Sequence, residues 1–308
     1  FIDFSGICAY QNRLVAIASN GVISEGIFEL DLLSKGWEHT PAYLFDLDPQ
    51  QISKGESFWF IGANEENVHA WYYPPLNKNT LIPPLLVKSH SGPTGMASGG
   101  LDLEVQFWTS RGWAVVDVNY GGSSGFGREY RDRLKGNWGV IDVMDCTKAA
   151  QSLIASGKAN KDCIAIIGSS ASGLTALGCL IFTDIFNIAA CKYAVTDLIN
   201  MANSTHRFEE FYLDYLIGNI DSNYEKYIQR SPCRNVENIK VPLILFHGLK
   251  DKVIPSEQSI AIKNELLKCG IPVEINLFEN EGHGFKDGQI KVDVLKNTEA
   301  FFRQHLKS

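Results

Sequence analysis

The stretch that most limits how this chain can fold begins with the apolar run Cys163-Ile164-Ala165-Ile166-Ile167. It passes at once into Gly168-Ser169-Ser170-Ala171-Ser172-Gly173 and then Leu174-Thr175-Ala176-Leu177. A β-branched run suits a buried strand, and the Leu/Ala-rich segment behind it suits a helix. Only small residues separate the two, which reads as strand, sharp turn, helix. A turn that tight forces strained angles on its central residue, so its neighbours must be small. A serine at that position holds its hydroxyl clear of the sheet, at the positive end of a helix, where an oxyanion is stabilised. Ser170 is thus a candidate nucleophile. Taken alone, the motif reads equally well as an ordinary glycine–serine loop.

The rest of the 308 residues supplies the context. From residue 53 onward, strand and helix patterns alternate. The strands are expected at 56–61, 68–73, 85–89, 114–119, 163–167, 189–195, 243–246 and 273–278. Helices are expected at 101–110, 140–155, 174–182, 257–268 and 292–305; the last places Val292, Leu295, Phe301 and Phe302 on one face. Near-continuous apolar strands such as 241–246 indicate a mostly parallel sheet covered by helices on both faces. Ligands of such sheets bind beyond the carboxyl ends of the strands. Residues 1–52 differ: short apolar stretches alternate with turns about a dozen residues apart, which predicts antiparallel strands. They have too little apolar surface to stand alone, so they are expected to belong to a larger β structure.

Two further residues come directly after predicted strands. Asp251 comes after Phe246-His247-Gly248-Leu249-Lys250, and His283 lies in Glu281-Gly282-His283-Gly284-Phe285, where flanking glycines let the backbone aim the imidazole. Singly, these read as a turn aspartate and a loop histidine. Together with Ser170 they give the order Ser, Asp, His of α/β-hydrolases, in which the histidine takes the serine's proton and the aspartate fixes its tautomer. Among the other histidines, His247 is the best rival, though its place two residues from a turn favours a structural role. His39, His69, His206 and His305 fall in the β segment, a strand, a helix-rich insert and the last helix. After the strand at 85–89, the loop Ser89-His90-Ser91-Gly92-Pro93-Thr94-Gly95 is placed to supply one oxyanion N–H from Gly92, with Ala171 supplying the other. Gly121-Gly122-Ser123-Ser124-Gly125-Phe126-Gly127 lacks the Lys-Ser/Thr ending of a phosphate loop and has the wrong order for a dinucleotide fold, so it reads as a connecting turn.

Composition narrows the function classes. A net charge of −7 argues against a nucleic-acid surface. No apolar run is long enough for a membrane span. His, Cys and carboxylates show no metal-ligand spacing, so neither a metal nor another cofactor is expected. The seven cysteines are odd in number, scattered and without C-x-x-C, which favours a reducing, cytoplasmic setting. The sequon Asn203-Ser204-Thr205 keeps a secreted route open. The chain starts at Phe1 without a leader pattern, which is expected of a processed chain or of the later part of a longer one.

The chain resembles the catalytic domain of the prolyl oligopeptidase family of serine peptidases, in its acylaminoacyl-peptidase and dipeptidyl-peptidase-like branch. The motifs are Ala70-Trp71-Tyr72-Tyr73-Pro74-Pro75, His90-Ser91-Gly92-Pro93-Thr94, the run Asn119-Tyr120-Gly121-Gly122-Ser123-Ser124-Gly125-Phe126-Gly127-Arg128, Trp138-Gly139-Val140-Ile141-Asp142-Val143, His247-Gly248-Leu249-Lys250-Asp251 and Gly282-His283-Gly284-Phe285. The resemblance implies an α/β-hydrolase fold over 53–308, with Ser170, Asp251 and His283 as a triad, and residues 1–52 as the end of a β-propeller. It implies a short peptide as substrate; exopeptidase action is the leading expectation, with endopeptidase action left open. Self-association into a homo-oligomer is left open. The segment His206-Arg207-Phe208-Glu209-Glu210-Phe211-Tyr212-Leu213 resembles an insert beside the substrate cleft, where Glu209 or Glu210 would meet a substrate amine. The other reading of these two is a solvated helix face. Departures are Ser169 and Ser172, where the family has glycines, and Ser91 in the loop after His90. Ser172 adds a Cβ and a hydroxyl where crowding is expected to be greatest, which predicts a displaced Ser170 or slow turnover. An ester hydrolase on the same residues and a non-catalytic binding protein on the same scaffold are the alternatives.

Overall fold

A computed structural model of the protein describes residues 1–44, 47–77, 82–204 and 211–306. Its amino-terminal part is a four-stranded antiparallel sheet of β1 (Asp3–Tyr10), β2 (Arg13–Ser19), β3 (Gly26–Asp31) and β4 (Trp37–Pro41) in sequential order. One side gathers Phe1, Phe4, Phe28 and Trp37 edge to face. Other apolar side chains, including Ile17 and Ile27, remain exposed. Two hydrogen bonds tie this sheet to the loop before the first helix: Ser98 Oγ donates to Asp3 (2.6 Å), and the Leu101 N–H to the Asn20 carbonyl (2.9 Å).

The second sheet has eight strands: β5 (Glu56–Ile61), β6 (Asn67–Tyr73), β7 (Leu85–Ser89), β8 (Ala114–Asn119), β9 (Ile164–Ser169), β10 (Ile188–Lys192), β11 (Leu243–Gly248) and β12 (Val273–Phe278). Their order is β12-β11-β10-β9-β7-β8-β6-β5. The six strands from β7 to β12 are mutually parallel, whereas β5 and β6 run antiparallel at one edge. The helices are α1 (Leu103–Thr109), α2 (Arg128–Asp132), α3 (Ile141–Ala155), α4 (Ala171–Phe182), α5 (Leu198–Ser204), α6 (Tyr212–Leu216), α7 (Ile220–Arg230), α8 (Glu257–Lys268) and α9 (Gly288–His305). This is the α/β-hydrolase arrangement. None of the described helices is long and apolar enough to cross a membrane.

Strand alternation sorts the core into two layers. Val87, Val116, Ile166, Cys191 and Leu245 face α3, α4 and α8, while Leu86, Val115, Ile167, Ala190 and Phe246 face Val105 and Trp108 of α1 and Phe301 and Phe302 of α9. Burial on both faces is what makes these strands read as continuous apolar runs. Two boundaries differ from expectation in ways that matter for the site. The helix expected from 174 starts at Ala171, directly after Ser170, because small residues let the turn close within one residue. The strand expected to reach 195 ends at Lys192, since Tyr193 turns to φ 38°.

Two buried aspartates of α3 carry the sheet-to-helix joints. Asp145 accepts the N–H groups of Ala63 and Gly121, both at 2.7 Å, joining the β5–β6 turn to the loop after β8. Asp142 accepts the Gly139 N–H and the Thr175 hydroxyl, which docks α3 onto α4. Asp145→Ala strands two buried donors, and each such orphan costs about 1–3 kcal/mol. The urea midpoint is therefore expected to fall well below wild type; an unchanged midpoint would show that these joints carry no stability.

Candidate active site

The turn after β9 puts Ser170 at φ 52°, ψ −119°, a conformation rare for a residue with a side chain. Its backbone is held on every side: its N–H donates to the Lys192 carbonyl, and its carbonyl accepts from Gly173 and Val195. The crowding lies at Gly168, where a Cβ would sit 2.1 Å from the Ser172 carbonyl oxygen, and at Gly173, where it would meet Ala194 Cβ at 2.4 Å. Ser172 is not the crowded position. Its hydroxyl turns back on the elbow, accepting the Ser169 N–H (2.8 Å) and donating to the Ser169 carbonyl (3.0 Å). The expected displacement of Ser170 is thus absent, and the serine that replaces glycine braces the turn.

Ser170, Asp251 and His283 meet at the carboxyl ends of β9, β11 and β12. His283 Nε2 lies 2.9 Å from Ser170 Oγ, and its Nδ1 lies 2.8 Å from Asp251 Oδ2. Facing a carboxylate, Nδ1 carries the hydrogen, so the lone pair of Nε2 receives the serine hydroxyl. The Asp251 side chain is buried and that of His283 is about a quarter exposed. Burial alone would raise the Asp251 pKa, but hydrogen bonds from His247, His283 and the N–H groups of Ile254 and Val253 overcome it and hold the carboxyl well below the usual range. The His283 loop is fixed by Glu281, whose buried carboxylate accepts the N–H groups of Lys286 and Asp287. Of the two flanking glycines only Gly284, at φ 82°, needs to be glycine for its backbone angles.

Across the rim, Gly92 comes after β7 at φ 73°. Among the described residues, neither the Gly92 N–H nor the Ala171 N–H donates to a protein acceptor. The loop carrying Gly92 is held by His90, which stacks on Tyr120 at 4.4 Å and places Nε2 2.6 Å from Ser123 Oγ. Burial lowers the His90 pKa to about 4 despite the Ser91 and Gly92 backbone groups, so the ring is neutral at neutral pH. The glycine-rich loop after β8, read as a plain turn, thus also supports this site through Ser123. Beside the elbow, a cavity of about 560 Å³ reaches Ser169, Ser172 and Ser91. On its wall Lys88 bonds Asp102 (2.6 Å) and Asp117 (3.2 Å), and Lys192 bonds Glu104 (3.1 Å).

Glu209 and Glu210, like His206, lie outside the described residues. Sequence reasoning misses Tyr193, whose ring meets the His283 imidazole edge to face at 4.8 Å and Phe285 at 5.2 Å. No local pattern announces it. A second omission, the closeness of His247 to Asp251, is signalled only by their spacing of four residues.

Two outcomes test this geometry. Ser172→Ala should lose about 1 kcal/mol of stability through the lost hydroxyl bonds and gain no reactivity at Ser170, measured by melting and by serine-directed labelling; faster labelling would restore the crowding view. For His90, the folded protein resists protonation down to about pH 4, whereas the unfolded chain binds the proton near the ordinary imidazole value of 6.5. The unfolded state then holds more protons between those values, so stability falls as pH drops from 6.5 to 4. His90→Gln should flatten that slope in urea titrations run across this window.

Comparison with known proteins agrees with this architecture. The sequence profile of the prolyl oligopeptidase family matches residues 100–308. Dipeptidyl aminopeptidase BIII of Pseudoxanthomonas mexicana is 29% identical over 229 residues, covering 72% of this chain and 33% of that protein. A puromycin-hydrolyzing peptidase of Mycobacterium tuberculosis superposes with a TM-score of 0.94 at 36% identity, covering 97% of this chain and 47% of that one. A puromycin hydrolase crystal structure gives 0.94 at 35%, covering 98% and 47%. The chain therefore spans a third of that curated relative and just under half of the two solved structures.

Proposed function

The chain belongs to the prolyl oligopeptidase family, and from that premise we propose that it forms the catalytic part of a serine peptidase acting on short peptides. The observation that carries this reading is the unbroken Ser170–His283–Asp251 chain of hydrogen bonds, at 2.9 and 2.8 Å. Ser170 Oγ attacks the scissile carbonyl as His283 Nε2 takes its proton. Asp251 holds the Nδ1–H and stabilises the imidazolium without taking the proton itself. The tetrahedral oxyanion is received by the Gly92 and Ala171 N–H groups, donors worth about 3–4 kcal/mol each when aimed at developing charge. His283 then protonates the leaving amine, and water attacks the acyl-enzyme by the same route in reverse.

The substrate reading is removal of amino-terminal or acylated residues. It draws on relatives named as dipeptidyl and acylamino-acid-releasing enzymes. The two solved neighbours named for hydrolysing puromycin support a hydrolytic reading. Residues 1–52 are proposed as the end of a β-propeller and 53–308 as the catalytic domain; the exposed apolar residues of the first sheet suit a β surface continued by further strands. All seven cysteines are free, which suits a reducing, cytoplasmic compartment.

A fluorophosphonate should label Ser170, and Ser170→Ala should lower kcat on aminoacyl arylamides by about a thousandfold or more. Labelling of another serine, or retained turnover, would overturn the assignment. Turnover of short-chain esters with arylamides untouched would instead identify an esterase.

A further inference from the structure

His247 is fully buried at the end of β11, four residues before Asp251, and takes no part in the mechanism above. Its ring is held from three sides. Nδ1 lies 2.7 Å from Ser259 Oγ on α8, and Nε2 lies 2.9 Å from the Ile254 carbonyl. Facing a carbonyl, Nε2 must carry a hydrogen. That same Nε2 is 3.4 Å from Asp251 Oδ2, the oxygen bonded to His283 Nδ1. Meanwhile Asp251 Oδ1 accepts the N–H groups of Val253 and Ile254 (2.8 and 2.9 Å). Ile254 is therefore tied to both partners, giving its N–H to the aspartate and its carbonyl to the histidine. His247 and the buried Asp251 carboxylate are thus joined through the Ile254 backbone, with the ring nitrogen a further 3.4 Å from Oδ2.

We propose that His247 is a positioning residue for this site, holding the Asp251 carboxylate against His283 through the Nε2–H it directs at Ile254 O and Asp251 Oδ2, with Ser259 setting the ring's orientation. This rests on the Ser–His–Asp reading. A carboxylate free to rotate would offer His283 a poorer acceptor, and the defect would appear when the imidazolium forms, not when substrate binds. The lowered Asp251 pKa agrees, since the His247 bond is the first of the contacts opposing its burial.

The test uses the whole protein with an aminoacyl arylamide and a fluorophosphonate. His247→Phe keeps a ring of similar size but removes both nitrogens; kcat and the labelling rate are expected to fall together by about ten- to a hundredfold, with KM within about twofold. His247→Gln, whose amide N–H can approach the place of Nε2–H, should recover most of that loss. Should His247→Phe fail to fold, Ser259→Ala removes the orienting hydroxyl with little change in packing, and a several-fold loss in kcat at constant KM is expected. Unchanged kcat in the folded variants, a loss confined to KM, or no recovery with glutamine would overturn the proposal while leaving the triad standing. Absence of labelling at Ser170 in the wild-type protein would remove the triad itself, and the proposal with it.

Discussion

The backbone at Ser170 is the constraint on which the rest of the site depends. A non-glycine residue held there costs about 1–3 kcal/mol, and it persists because the surroundings leave no alternative. The strand before it is sealed on both faces, and α4 after it is buried along nearly its whole length. Between them, Gly168 and Gly173 allow backbone to approach closer than any Cβ would permit. The Ser172 hydroxyl closes the turn with two short bonds of its own. Burial of the two flanking elements offsets the local strain many times over, at about 25 cal/mol per Å² of apolar surface. The strain is thereby concentrated at the one residue whose side chain must stand clear.

The parallel sheet turns that single turn into a site. Strands β9, β11 and β12 end on the same side, so the loops leaving them converge in space although 113 residues separate Ser170 from His283. Each arriving side chain is then fixed by contacts from neighbouring residues. Glu281 anchors the His283 loop, Tyr193 and Phe285 bracket that region with aromatic edges, and the His90–Ser123 pair holds the loop of Gly92. The lysine–carboxylate pairs near the cavity tie the ends of β7, β8 and β10 to the start of α1. These pairs sit where the positions of the elbow and the loop after β7 are set.

Much of this is legible in the residues alone. The elbow, the strand–helix alternation and the three residues after strands are local patterns, carried by residue size and apolar periodicity. The parts that escape such a reading depend on contacts distant in sequence or on rotamers. Ser172 reads as obstructive because its rotamer is decided by the Ser169 backbone, which a one-dimensional pattern does not display. Tyr193 continues an apolar run and so reads as strand, whereas in the fold its backbone turns to φ 38° and its ring packs against His283 and Phe285. His247 reads as structural, and it is buried accordingly, but its link to Asp251 becomes visible only when the turn folds Ile254 back onto the ring. Glu209 and Glu210 belong to the segment outside the described residues.

Ser170 Oγ, held on a strained turn, and the Gly92 and Ala171 N–H groups are the proposed nucleophile and oxyanion donors, and a crystal structure of the protein after reaction with a fluorophosphonate tests that pairing most directly. Phosphorus is expected on Ser170 Oγ, with His283 still paired with Asp251 and the phosphoryl oxygen about 3 Å from both the Gly92 and Ala171 nitrogens. An adduct on another residue, or a phosphoryl oxygen turned away from those two nitrogens, would contradict it.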